Sequence, residues 1–267
     1  MATPPDLATL RDRLSEAGFL AADEEAAELL AAAVGNEAVL EALLYRRLTG
    51  EPLAWITGRV SFCGTEIRIT SGVYVPRWQS EALARRAVGH LPEKGVAIDL
   101  CTGSGAIARM LSVHCQRARV VASEIDERAV ACAADNGVEV YLGDLFDPLP
   151  SDLAGRVDVI VGVVPYVPTP ALPRLQRDTL TFESALSYDG GPDGTDVLRR
   201  TLNESRRFLL PGGTLILELG GDQAEALRAE LDRLGYIDVA VVHDEDGDLR
   251  GIDATWPGPK KGRSAGR

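Results

Sequence analysis

Apolar positions along the chain recur with two periods. From Leu7 to about Thr49 they recur every three or four residues. Leu7, Leu10 and Leu14 form one stripe, Glu24–Ala33 is rich in alanine and leucine, and Glu37–Leu48 repeats the spacing. This period predicts several short amphipathic helices, punctuated at Gly18 and at Gly35-Asn36. From Glu51 the period changes. Trp55–Gly58 and then Val60–Ile69 alternate apolar and polar residues around Gly64, which predicts a hairpin. Val73–Val75 reads as extended ahead of Pro76, and Ser80–Val88 as a helix. Short apolar runs follow, with helical segments between the earlier ones. We place strands at Val96–Leu100, Arg119–Ser123, Val138–Tyr141, Asp158–Gly162, Thr214–Leu219, Asp238–His243 and Gly251–Trp256. Such alternation predicts an α/β architecture with a mostly parallel sheet covered on both faces. Only Asp244–Asp248 joins the last two strands, too little for a crossover helix, so the final strand is expected to run antiparallel to its neighbour.

These changes divide the chain into a helical domain (1–50), a hairpin linker (51–75), an α/β domain (76–257) and a tail (258–267). The tail is rich in Pro, Gly, Lys, Arg and Ser and is expected to be disordered. The 267 residues suffice for one large domain or two smaller ones. No run approaches the ~20 apolar residues of a membrane span. Met1–Asp6 lacks the basic and then apolar pattern of a secretory signal. We therefore expect a cytoplasmic protein with no membrane partner. The four cysteines are scattered, as expected of reduced, mostly buried residues, and the three histidines are dispersed, so no metal site is expected. A net charge of −12 argues against a nucleic-acid partner, which calls for a basic patch.

Chemistry concentrates at three strand ends. The run Ile98-Asp99-Leu100-Cys101-Thr102-Gly103-Ser104-Gly105-Ala106 reads as strand, tight turn and helix start. Such a turn lets a ligand approach the backbone beside free helix N–H groups, although glycine turns also occur with no ligand. After the second strand, Glu124 lies about twenty residues beyond the turn, where a carboxylate can accept two hydrogen bonds from a ribose diol. The alternative is an acid at a helix start, and Asp126 has that place before Glu127–Asp135. After the third strand, Asp144 can accept from an exocyclic adenine amine, with Leu145 and Phe146 offering apolar surface to the ring. The alternative is a polar loop.

After the fourth strand comes Val163-Val164-Pro165-Tyr166, and here a resemblance becomes specific. The chain resembles the protein-glutamine N5-methyltransferases that modify class I peptide-chain release factors. The resemblance is carried by Gly50-Glu51-Pro52-Leu53-Ala54-Trp55-Ile56-Thr57-Gly58, by Val75-Pro76-Arg77 with Glu81, by Asp99–Ala106, and by Tyr188-Asp189-Gly190-Gly191-Pro192-Asp193-Gly194. It implies a Rossmann-like, seven-stranded class I methyltransferase domain behind a small helical domain that helps hold a protein substrate. The implied cofactor is S-adenosylmethionine, bound by Asp99, Cys101, Thr102, Gly103, Gly105, Glu124, Ile125, Asp144, Leu145 and Val163. Val163, Val164, Pro165 and Tyr166 correspond to the catalytic loop. Arg77, Tyr166 and Glu183 are expected at the substrate, with a structural salt bridge as the alternative for Arg77.

The chain departs from the family in that loop. The family reads Asn-Pro-Pro-Tyr, and Val163 and Val164 replace the Asn and the first Pro. In the family, the asparagine oxygen and a neighbouring backbone carbonyl accept both hydrogens of the target amide and hold its nitrogen at the methyl group. Valine offers no such acceptor. Three readings follow: methylation of a release-factor glutamine, methylation of another acceptor such as a small molecule or a different side chain, or cofactor binding without catalysis. The acids Asp99, Glu124 and Asp144 weigh against the last. Downstream, Phe182-Glu183-Ser184 departs from the family's usual Glu-Pro but keeps Glu183, and Pro168, Pro170 and Pro173 predict a stiff, extended loop.

Overall fold

The computed structural model describes residues 7–175 and 177–259. Seven strands form one sheet: β3 (Val96–Leu100), β4 (Arg119–Glu124), β5 (Glu139–Leu142), β6 (Val157–Gly162), β7 (Leu209–Glu218), β8 (Ile237–His243) and β9 (Leu249–Trp256). Their order is β5-β4-β3-β6-β7-β9-β8. β3 pairs in parallel with both β4 and β6, and β6 with β7. β9 alone is reversed and lies antiparallel between β7 and β8. The predicted reversal of the final strand is therefore observed. The central parallel strands β3, β4 and β6 are buried on both faces because helices cover them. Ile98, Leu100, Val121 and Ile160 are inaccessible, each contributing about 1.5–3 kcal/mol by burial.

Helices α5 (Glu81–His90), α6 (Ala106–His114) and α7 (Glu127–Asp135) follow the expected periodicity. Asp126 caps α7 through its side chain, which accepts from the Arg128 amide. At the N-terminal end, α1 (Leu7–Glu16), α2 (Ala22–Ala33) and α3 (Glu37–Leu48) bury Leu10, Leu14, Leu29, Leu40 and Leu44 in a cluster of their own. Ile56 of α4 (Leu53–Thr57) joins that cluster, while Trp55 of the same helix faces the α/β core and donates Nε1–H to the Val73 carbonyl at 2.9 Å.

Two local expectations are corrected. Trp55–Thr57 belongs to a short helix rather than to the hairpin, which consists of β1 (Arg59–Phe62) and β2 (Thr65–Arg68). In that helix Trp55 and Ile56 reach two different cores. The loop after Tyr166 is not extended throughout. Thr169–Arg174 winds into a tight 3-10 turn, and α8 (Arg177–Phe182) follows. Pro170 sits in the first turn, where its missing N–H leaves no gap. Of the expected tail, 260–267 lies outside the described residues.

Candidate active site

The carboxyl ends of β3, β4 and β6 open into one cavity. Beyond β3 the backbone turns through Cys101, Gly103 and Gly105, with φ of +53°, +58° and +82°. A non-glycine residue at such an angle costs about 1–2 kcal/mol, and Cys101 is held there by its surroundings. Burial pushes its thiol far up, which makes it an unreactive wall. Asp99 is buried at 1% exposure beneath the turn. Its Oδ2 accepts from Thr102 Oγ1 at 2.5 Å and from the Ala108 amide at 3.0 Å. Burial outweighs those bonds and pushes the carboxyl up to about 7.

Glu124 closes β4 and reaches across to the turn. Its Oε2 accepts from the Gly103 amide at 2.9 Å, and its Oε1 from the Ile125 and Asp126 amides at 2.8 and 3.0 Å. The carboxylate is thereby fixed over the glycine turn. The opposite wall is Val163 and Pro165 from the loop after β6, with Phe62, Tyr74 and Leu186. Including its open mouth, the cavity has about 900 Å³ of empty space. Asp99, Glu124 and Asp126 line it, and among the described residues no Lys, Arg or His does.

The structure thus brings together Asp99, Cys101, Thr102, Gly103, Glu124, Ile125, Val163 and Pro165. The remaining expected site residues stand outside the lining. Gly105 begins α6, and a Cβ there would lie 2.8 Å from Val138 Cγ2, so this glycine serves close packing of α6 on neighbouring elements. Asp144 accepts from Arg200 Nη2 at 2.8 Å on a half-exposed surface. Arg200 lies on α9 (Asp196–Ser205). Leu145 and Val164 are buried in the core. Tyr166 donates its hydroxyl to Glu218 at 2.9 Å. Arg77 and Glu183 pair with each other at 2.5 Å. Glu183 also accepts from the Val75 amide at 2.9 Å and from the Tyr188 hydroxyl. The salt bridge expected as one of the two roles of Arg77 is formed. It staples the segment before α5 to the loop after α8.

Tyr74, Ser80 and Glu218 went unrecognised in the sequence. Glu218 carried a usable signal, an acid closing an apolar strand, as Asp99 does. Among the described residues, no group of three His, Cys, Asp or Glu could hold a metal ion, and no helix is long and apolar enough to cross a membrane.

A twisted sheet with one reversed strand and a glycine turn over paired acids defines a Rossmann-like methyltransferase. A methyltransferase from Pyrococcus furiosus shares this fold at a TM-score of 0.52 and 20% identity, covering 80% of this chain and 98% of that one. Release factor glutamine methyltransferase from Geobacter sulfurreducens is 35% identical over 216 residues, 79% of this chain and 75% of the relative. The protein of that name from Moorella thermoacetica is 37% identical over 193 residues, 68% and 67% of the two chains. No protein-family model matches the sequence. On these likenesses the chain belongs to the release factor glutamine methyltransferase family, and it is a methyltransferase.

Proposed function

We propose that this chain binds S-adenosylmethionine in the cavity beyond β3 and β4 and transfers its methyl group to a protein side chain, with a release-factor glutamine as the first candidate acceptor. The observation that carries this reading is that the charged groups lining the cavity around the glycine turn are all acids, Asp99, Glu124 and Asp126. A cationic cofactor fits that donor set. Glu124 is presented for a ribose diol, Asp99 and the backbone of 101–103 for the methionine end, and Ile125 for one face of the base. When bound, the sulfonium supplies an electrophilic methyl group. Asp144 takes part in this reading only if it exchanges Arg200 for the adenine amine. Gly105 acts through packing, Leu145 and Val164 as the apolar backing of the site, and Arg77 with Glu183 as a staple beside the acceptor. In this reading the helices of 7–48 help hold the protein substrate, as the family resemblance implies.

What the chain does to the acceptor follows from Val163 to Tyr166. The Val164 carbonyl can accept one N–H of an incoming amide, and the Val163 side chain can accept none. Losing one such acceptor costs on the order of 10²–10³ in rate. This favours a second reading in which the acceptor is a better nucleophile than an amide and needs only in-line placement. The acidic lining disfavours a carboxylate and leaves an amine or a hydroxyl. Labelled S-adenosylmethionine, purified release factors and intact-mass detection test the choice. One added methyl on the release-factor glutamine supports the first reading. No transfer, with cofactor binding demonstrated in the same sample, refutes it in favour of the second.

A further inference from the structure

Glu218 is an acid where the strand pattern asks for an apolar residue. It closes β7 after Leu215, Ile216 and Leu217 and is 5% exposed. Its Oε1 takes the Tyr166 hydroxyl, while its Oε2 has no hydrogen-bond partner. Ser80, which lines the cavity, stands beside it, where its hydroxyl favours the ionised carboxylate. Burial pushes the Glu218 carboxyl up. A buried carboxyl destabilises the fold relative to a leucine at this place, so its presence needs another explanation.

The chain just beyond Glu218 grips the same tyrosine a second time. Gln223 Nε2 donates to the Tyr166 carbonyl at 2.8 Å and to the Gly194 carbonyl at 3.2 Å, and Gln223 Oε1 accepts from the Gly220 amide at 3.0 Å. The Tyr166 ring packs beside Gly220, where an added Cβ would lie 3.5 Å from Cε2. Tyr166 is therefore anchored by side chain and by main chain to residues 218–223. It directly follows Pro165, which lines the cavity. On its other side, the Val167 amide donates to the Tyr188 carbonyl at 2.8 Å, and the Gly190 amide donates back to the Val167 carbonyl at 2.9 Å.

We propose that Glu218 is a positioning residue for methyl transfer, fixing the loop 163–166 at the cavity through the Tyr166 hydroxyl. The proposal rests on the reading of this cavity as the methyl-transfer site. Three full-chain variants test it: Tyr166→Phe, Glu218→Ala and Glu218→Gln, the last keeping an oxygen that accepts from Tyr166. Amide hydrogen exchange at Val167 and Gly190 should quicken about tenfold or more in the first two and stay near wild type in the third, with β3 and β6 unchanged. With S-adenosylmethionine and a release factor, kcat should fall about tenfold or more in the first two, while KM for S-adenosylmethionine stays within about threefold. A purely structural role would move melting temperature and both constants together. Unchanged exchange at Val167 in Tyr166→Phe, the variant least able to unfold the chain, overturns the proposal, as does an unchanged kcat. If the wild type itself transfers nothing to release factors, the acceptor reading fails, and exchange alone then decides the role of Glu218.

Discussion

Replacing Asp99 with Asn should stabilise the protein near neutral pH while weakening its hold on S-adenosylmethionine. Burial pushes the Asp99 carboxyl from its ordinary 3.8 up to about 7. The folded protein thus binds this proton more tightly than the unfolded chain does. The stability tied to it is whole below pH 3.8 and is lost as pH rises through 7. At about 1.4 kcal/mol per unit, the full loss is about 4 kcal/mol, of which roughly 2–3 kcal/mol falls between about pH 5 and pH 7.5. Asparagine keeps an oxygen for the Thr102 hydroxyl and the Ala108 amide and does not ionise. At about 2–4 °C per kcal/mol, the melting temperature of the wild type should fall relative to Asp99→Asn by about 5–10 °C over that interval. Scanning calorimetry of both proteins without cofactor measures this difference, and subtraction removes the other titrating groups. Calorimetric titration of S-adenosylmethionine into the variant should show at least about tenfold weaker binding. Parallel melting curves across pH, or a variant less stable than wild type at about pH 7.5, would refute the reasoning.

Glu183→Ala should lower the melting temperature by about 5–12 °C. It strands the Val75 amide and Arg77, a loss of about 2–4 kcal/mol after discounting the partial exposure of Arg77; thermal melts check it, and Glu183→Gln should recover part of the loss. Gly105→Ala should cost about 2–4 kcal/mol in urea unfolding, because the new methyl meets Val138 at 2.8 Å on a backbone at φ +82°. Val163→Asn should raise methyl transfer to a release-factor glutamine by about 10²-fold; an unchanged rate in the labelled assay would mean that the acceptor pocket has been reshaped around the valine.

The centre of the sheet was legible because β3, β4 and β6 are buried on both faces and read as short apolar runs. β3 was placed residue for residue, and α7 was legible through its Asp126 cap. Where one span serves two cores, the pattern misleads, and the alternation around Trp55 concealed a helix turn. In the site, residues fixed by the turn itself were legible, because Asp99, Gly103 and Glu124 act through local backbone geometry. Pairings between distant segments were not. Nothing near Arg77 in sequence announces Glu183, nothing near Asp144 announces Arg200, and Glu218 reveals itself only once Tyr166 lies against it. Charge complementarity across more than fifty residues leaves no periodic trace.

In the proposed reading the acid-lined cavity over the glycine turn holds S-adenosylmethionine. Calorimetric titration of that cofactor into the wild type and into Glu124→Ala tests it directly. One-to-one binding by the wild type, weakened at least about tenfold in the variant, is the predicted result. No binding by the wild type, or equal binding by both, would contradict it.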